Sequence, residues 1–98
     1  MHAREIKQIL DTCRPHRARR VLIFERSGTG RLAVVAGKRI GGAVERNRAR
    51  RVMRAAWREA GPLAGDRDAV LVARAPIAGA SSNELAEEMD AIMNRTTR

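Results

Sequence analysis

Residues 37–58 of this chain read Gly-Lys-Arg-Ile-Gly-Gly-Ala-Val-Glu-Arg-Asn-Arg-Ala-Arg-Arg-Val-Met-Arg-Ala-Ala-Trp-Arg. From residue 43, apolar side chains recur every three or four positions, which predicts an amphipathic helix over 43–60. The segment also carries Lys38 and seven arginines against one acid, Glu45. We therefore expect a helix that packs on one side and is strongly basic on the other. Its apolar stripe consists of Ala49, Val52, Met53, Ala56, Trp57 and Ala60.

The basic side of this helix has a charge pattern that a merely solvated face rarely shows. Arg46, Arg50, Arg54 and Arg58 are spaced by four, so like charges lie above one another and repel by about a few tenths of a kcal/mol per pair. A solvated helix face more often alternates acids and bases, because such pairs stabilise the helix. Phosphate groups would convert each repulsion into an attraction. The pattern therefore predicts a surface that binds a polyanion.

Asn47 stands among these arginines and brings both a hydrogen-bond donor and an acceptor. The pattern leaves four roles open: reading a base or a sugar hydroxyl, orienting a neighbouring arginine, holding a hydrated metal ion beside a phosphate, or capping the helix locally. The glycine pair at 41–42 precedes the helix without a P-loop or G-x-G-x-x-G spacing, so no nucleotide site is predicted. We interpret these glycines as a tight turn from a strand into the helix.

The composition of the whole chain agrees with a polyanionic partner. Its 98 residues suffice for one domain, 1–98, and 20 basic against 11 acidic residues give a net charge of +9. Nucleic acid is the predicted partner, and an anionic membrane surface is the rival. One cysteine excludes an internal disulfide, and no apolar run approaches the roughly 18 residues of a spanning helix. The N-terminus lacks the apolar core of a secretion signal, so we expect a cytoplasmic protein without a membrane partner.

Outside the central helix, the apolar pattern predicts two further helices. The first covers residues 3–13, where Ile6, Ile9, Leu10 and Cys13 share one face. The last follows a capping-box spacing at residues 81–84 and carries the only acidic cluster of the chain.

Three apolar runs predict strands, at residues 21–24, 32–36 and 69–73. The first two are joined by a glycine-containing link, which suggests an antiparallel hairpin. Both are almost continuously apolar, so the sheet can be covered on both faces. A first strand over residues 17–19 would be short. The order of elements predicts an α/β (α+β) two-layer sandwich in which helices pack on one small sheet.

The basic segment and the order of elements together resemble the protein subunit of bacterial ribonuclease P. That family's signature is a Lys-Lys-x-Gly-x-Ala-Val lead into an Arg-Asn-Arg-x-(Lys/Arg)-Arg-x-x-Arg helix. Residues 4–6 and 68–76 also resemble the family's first helix and its last strand with the exit from it. The signature positions matched here are Lys38, Arg39, Gly41, Ala43, Val44, Arg46, Asn47, Arg48, Arg50, Arg51 and Arg54.

This resemblance implies a fold and a function. The fold is αβββαβα, ribosomal-protein-S5-domain-2-like, with a small mixed sheet and a left-handed βαβ crossover. The holoenzyme is an endoribonuclease that removes the 5′ leader from precursor tRNA and leaves a 5′-phosphate. Its RNA subunit carries the chemistry with bound Mg²⁺, so no protein side chain is catalytic. The protein is a monomer in a 1:1 complex with that RNA. The implied RNA-binding residues are Lys38, Arg39, Arg46, Asn47, Arg48, Arg50, Arg51 and Arg54.

The resemblance also implies a cleft for the single-stranded leader between the sheet and the first helix. This chain has Ile6 and Leu10 where the family usually has aromatic residues, so stacking worth about 1–3 kcal/mol per base is missing there. Phe24 is the remaining aromatic candidate, and the pattern does not distinguish a leader contact from a core position. Ile6, Leu10 and Phe24 are therefore the predicted leader-binding residues.

Two alternatives in function stay open at this point. One is a general RNA-binding or ribosomal-type protein of the same fold without a role in tRNA processing. The other is a DNA-binding helix-turn-helix protein, although strands rather than a second helix flank the central helix.

The remaining candidate sites are weak. Cys13 and His16 have metal-like spacing, but two ligands do not make a zinc site. We interpret them as a half-buried cysteine and a loop histidine, Asp66 and Asp68 as turn residues, and Trp57 as a core residue. No arrangement of nucleophile and base is present, so neither catalytic nor metal-binding side chains are predicted.

Overall fold

The computed structural model describes residues 1–60 and 66–96 of the chain. The predicted helix stop at residues 61–62 lies outside this range. The elements in order are α1 (Ala3–Thr12), β1 (His16–Arg17), β2 (Val21–Ser27), β3 (Leu32–Val35), α2 (Ala43–Ala60), β4 (Arg67–Ala73) and α3 (Ser82–Thr96). Short 3₁₀ turns precede α2 at Lys38–Ile40 and follow β4 at Ala75–Ile77. The predicted αβββαβα order is confirmed, and α2 has the predicted bounds.

The four strands form one mixed sheet in the order β1-β2-β4-β3. β2 and β4 are antiparallel, with Phe24 opposite Val70, whereas β3 and β4 are parallel, with Val34 opposite Leu71. The predicted hairpin between β2 and β3 is therefore wrong, because β4 lies between them. Four linking residues can span the two strand spacings of about 4.8 Å each. β3, α2 and β4 form the βαβ unit whose crossover the resemblance predicts to be left-handed.

Both faces of the sheet are covered, as the continuous apolar runs indicated. Val21, Ile23 and Leu71 face α2 and α3 in the larger core cluster. Phe24 and Val70 point to the opposite face, where they pack with Ile9 of α1. Successive residues of each strand alternate between the two clusters, as the pleat requires.

The local signals for α2 and α3 operate as predicted. Met53 and Trp57 are buried against the sheet and α3, which fixes the opposite side of α2 toward solvent. At the start of α3, the Ser81 Oγ accepts a hydrogen bond from the Glu84 amide at 3.1 Å. The Glu84 carboxylate accepts one in return from the Ser81 amide at 3.4 Å. This reciprocal pair is the predicted capping box.

The prediction that Asp68 is a turn residue is wrong. Asp68 is a buried residue of β4 with 1% of its surface exposed. Its carboxylate accepts hydrogen bonds from the backbone amides of Thr29 and Arg31 at 3.1 and 3.0 Å. It also accepts one from Arg31 Nη2 at 2.8 Å. These bonds, with those of Arg31 foremost, hold the pKa of Asp68 well below its usual range. The link between β2 and β3 is thereby fastened to β4.

Replacing Gly28 with alanine should destabilise the chain by about 2 kcal/mol, as overpacking of a fixed site does. A Cβ atom at this position would overlap the Asp68 carboxyl group, whose hydrogen bonds prevent it from moving aside. Gly37→Ala is the matched control, because its Cβ would meet no neighbouring atom. Urea unfolding followed by circular dichroism measures both variants. Equal stabilities of the two would contradict the role given to Asp68.

Candidate nucleic-acid interface

The basic residues of the 3₁₀ turn and of α2 form one group, which we call the basic surface. None of them forms an ion pair with a carboxylate within residues 1–60 and 66–96. In contrast, Arg20, Arg26, Arg31 and Arg67 all pair with acids elsewhere in the fold. The uncompensated charge is thus concentrated where the sequence predicted it. The basic surface comprises Lys38, Arg39, Arg46, Arg48, Arg50, Arg51, Arg54 and Arg58.

Asn47 orients an arginine, which is one of the roles that the sequence left open. Its Oδ1 accepts a hydrogen bond from Arg50 Nη1 at 2.8 Å, one helical turn further along α2. Asn47, Arg51 and Arg54 are exposed, and Arg50 is half-buried. Fixing the Arg50 guanidinium before a ligand arrives reduces the side-chain entropy that binding would cost.

Arg46 and Arg48 are half-buried, and each has a group held against the protein. Arg48 Nη2 donates to the backbone carbonyl of Ala80 at 3.0 Å and so ties α2 to the segment before α3. The Nε of Arg46 is buried without a hydrogen-bond partner among the described residues. A buried unpaired donor costs about 1–3 kcal/mol.

The glycine before α2 shapes a turn, as predicted. Gly41 has a φ of 136°, a conformation that other residues adopt only with strain. Its position leads the chain from the 3₁₀ turn at Lys38–Ile40 into the first turn of α2. Lys38 and Arg39 are thereby placed beside the N-terminal end of the helix.

A groove with a volume of about 550 Å³ lies between this turn and the sheet. Leu22, Val35 and Val72 form its apolar floor, on the sheet face that α1 also covers. Its basic rim is formed by Lys38, Arg39 and Arg74. The sequence analysis did not single out the floor residues. Alternation within β2 places Leu22 on the same face as Phe24, whereas Val35 and Val72 join that face only through the strand pairing.

The three predicted leader-binding residues lie next to this groove and not in its lining. Ile6 and Leu10 are half-buried and pack on the apolar cluster that includes Leu22 and Val35. Phe24 is 8% exposed beneath α1, so the structure shows it as a core residue.

The structure also shows where the weaker candidate residues lie. Cys13 is half-buried and free, and Trp57 is a core residue, as predicted. His16 lies in β1 rather than in a loop, with its Nε2 3.3 Å from Glu25 Oε1. In the described part of the chain, no group of three or more His, Cys, Asp or Glu residues is arranged to hold a metal ion. No described helix is long and apolar enough to cross a membrane.

A mixed sheet that carries an arginine helix with no acidic partners among the described residues, beside a groove with a basic rim, is typical of a nucleic-acid-binding α+β protein. A helix-turn-helix is ruled out because α2 is flanked by β3 and β4. Comparison with known families is more specific: the family model described as Ribonuclease P matches residues 1–97. The chain belongs to the ribonuclease P protein family.

Individual relatives agree with this assignment. The ribonuclease P protein component of Desulforapulum autotrophicum is 31% identical over 78 residues, which cover 79% of this chain and 67% of that protein. The same component of an Exiguobacterium species is 34% identical over 65 residues, or 66% and 57% of the two chains.

Solved structures confirm the fold. The ribonuclease P protein of Thermotoga maritima superposes with a TM-score of 0.80 at 17% identity, covering 97% of this chain and 94% of that one. The Staphylococcus aureus protein gives a TM-score of 0.78 at 16% identity, covering 98% and 92%.

Family membership settles the broad function. Ribonuclease P is an endoribonuclease of tRNA 5′ processing, and this chain is the protein component that works with its RNA subunit. The alternative of a general RNA-binding or ribosomal-type protein is therefore not favoured.

Proposed function

We propose that the basic surface is where the RNA subunit binds. The observation that carries the proposal is the absence of acidic partners for these cations among the described residues, since phosphates are then their natural counterions. Residues 1–98 would act as one RNA-binding domain, as a monomer in a 1:1 complex in the cytoplasm. The proposed contact residues are Lys38, Arg39, Arg46, Asn47, Arg48, Arg50, Arg51 and Arg54.

The second part of the proposal is that the precursor tRNA leader lies in the groove beside this surface. Leu22, Val35 and Val72 offer an apolar floor for bases, and Lys38 and Arg39 on the rim suit the phosphates. Ile6 and Leu10 would support the leader from α1 by aliphatic packing. Phe24 would not contact the leader but would support the sheet face from within the core, where it packs with Ile9 and Val70.

Arg17 extends the basic rim to the opposite edge of the groove. It lies opposite Leu22 in the pairing of β1 with β2, so the two side chains share a sheet face. Arg17 is exposed and has no acidic partner among the described residues. A leader that crosses the floor would therefore meet a cation on each side.

The proposed metal cofactor is Mg²⁺, held mainly by the RNA subunit. The basic surface repels cations and attracts phosphates, so its residues do not suit a metal ion. By partly neutralising the RNA, the protein would lower the Mg²⁺ concentration that folding and substrate binding require.

The leader proposal is tested by Arg17→Ala in the reconstituted holoenzyme. Losing one contact to a single strand should change the salt slope by about 0.7, which corresponds to roughly fivefold weaker binding of precursor tRNA near 0.1 M salt. The variant should bind mature tRNA, which has no leader, as tightly as the wild type does. Arg4→Ala is the matched control, because Arg4 is an exposed arginine of α1 outside the groove lining. Equal losses with and without a leader would contradict this placement.

A further inference from the structure

A second, smaller concavity lies at the N-terminal end of α2. Its volume is about 210 Å³, below the roughly 300–1,000 Å³ of pockets for drug-sized ligands. It is therefore suited to a single ring system. Its lining is mainly apolar with two charged side chains, and includes Ile40, Ile77, Ala49, Gly79, Glu45 and Arg48.

Glu45 is the acidic member of this pocket and an exposed residue in the first turn of α2. It is the only acid in residues 37–58, yet it pairs with none of the cations around it in the described part of the chain. An acid in the first turn does stabilise a helix. An uncharged cap would do the same without repelling phosphates. A free carboxylate on a phosphate-binding surface therefore points to a ligand group that donates hydrogen bonds.

Arg48 gives the pocket a second fixed polar group. Its Nη2 is bonded to the Ala80 carbonyl, so the planar guanidinium is held in place beside Ala49 and Ile77. A fixed guanidinium can donate to a ring nitrogen or a carbonyl oxygen, or stack on a flat ring. An acceptor and a donor in an apolar slot are the groups that read the edge of a base.

We propose that this pocket takes one unpaired nucleobase of the RNA subunit, an adenine, cytosine or guanine. The Glu45 carboxylate accepts hydrogen bonds from the exocyclic amino group, while Ile40 and Ala78 cover the ring. This inference rests on the proposed binding of the RNA subunit by the basic surface, with which the pocket is continuous through Arg48. It adds base recognition to a surface that otherwise contacts phosphates.

The test is chemical probing of the RNA subunit, using dimethyl sulfate for adenine and cytosine and kethoxal for guanine. Full-length wild-type protein should protect one unpaired base, and Glu45→Ala should remove that protection. The variant should bind about tenfold more weakly, as expected for losing a specific base contact. Its salt slope should be unchanged, because base contacts release no counterions.

The control variant is Glu87→Ala, which removes an exposed acid from α3 and changes the net charge equally. It should bind like the wild type and protect the same base. Simple electrostatics predicts the opposite for Glu45→Ala, namely tighter binding, because an acid has left a basic surface. Circular dichroism verifies that both variants are folded.

The outcomes separate the two proposals. If the wild type binds the RNA with a steep salt slope but Glu45→Ala keeps every protection, the pocket assignment is overturned and the basic surface stands. Protection that appears only after precursor tRNA is added would also overturn it, because the base would then belong to the substrate. If the wild type does not bind the RNA subunit, both proposals fail.

Discussion

Replacing Arg50 and Arg54 together with alanine will weaken binding of the RNA subunit about 60-fold near 0.1 M salt. Each arginine that contacts a phosphate contributes about 0.9 to the slope of log affinity against log salt, so the slope should fall by about 1.8. Neither arginine pairs with an acid in the described residues, so their removal leaves no buried carboxylate unpaired. Filter binding over a series of salt concentrations measures both quantities.

The matched control for this variant is the double substitution Arg26→Ala, Arg67→Ala. It removes the same charge, but Arg26 is 3.8 Å from a Glu5 carboxylate oxygen and Arg67 is 3.1 Å from one of Glu25. Cations already paired in the fold have fewer counterions to release, so the salt slope should stay near that of the wild type. Equal losses in the two double variants would mean that net charge, and not the basic surface, governs binding.

Trp57→Ala should destabilise the chain by about 3–5 kcal/mol, the usual cost of truncating a buried aromatic residue. Trp57 is 4% exposed and packs in the larger core cluster between α2, α3 and the sheet. A domain of this size has about 5–15 kcal/mol in total, and each kcal/mol shifts Tm by about 4–8 °C. Thermal unfolding followed by circular dichroism should therefore show a decrease in Tm of about 12 °C or more.

Trp57→Phe distinguishes a core residue from a base-stacking one. Phenylalanine keeps most of the apolar contact, so the variant should fold and bind the RNA subunit with unchanged affinity. If Trp57 instead stacked on RNA, its substitution would weaken RNA binding without lowering the stability of the fold. A folded Trp57→Ala variant of nearly normal Tm would contradict the core position.

The central helix could be predicted from sequence because its signals are local. The spacing of Ala49, Met53 and Trp57 defines the buried side, and the arginines spaced by four define the opposite one. The capping box at Ser81 and Glu84 is equally local, since it depends on residues three positions apart. In each of these cases neighbours within one or two helical turns determine the result.

The strand pairing depends on contacts that the sequence does not display. β2 and β3 are close in sequence and looked like a hairpin, but β4 lies between them and has residues 68–71 buried in the centre of the sheet. Asp68 looked like a turn residue, and only the position of β4 between β2 and β3 brings its carboxylate to the amides of residues 29 and 31. The groove floor joins Leu22, Val35 and Val72 from three strands, so it too follows from the pairing.

The most direct test of the account is cleavage of precursor tRNA by the RNA subunit at low Mg²⁺. Under the proposed function, wild-type protein should restore cleavage there, because cations of the basic surface would replace part of the metal that the RNA alone requires. The Arg50→Ala, Arg54→Ala variant should need about 60-fold more protein for half-maximal stimulation, following its weaker binding. Stimulation by both proteins at the same concentration, or by neither, would contradict the central role of the arginines on α2.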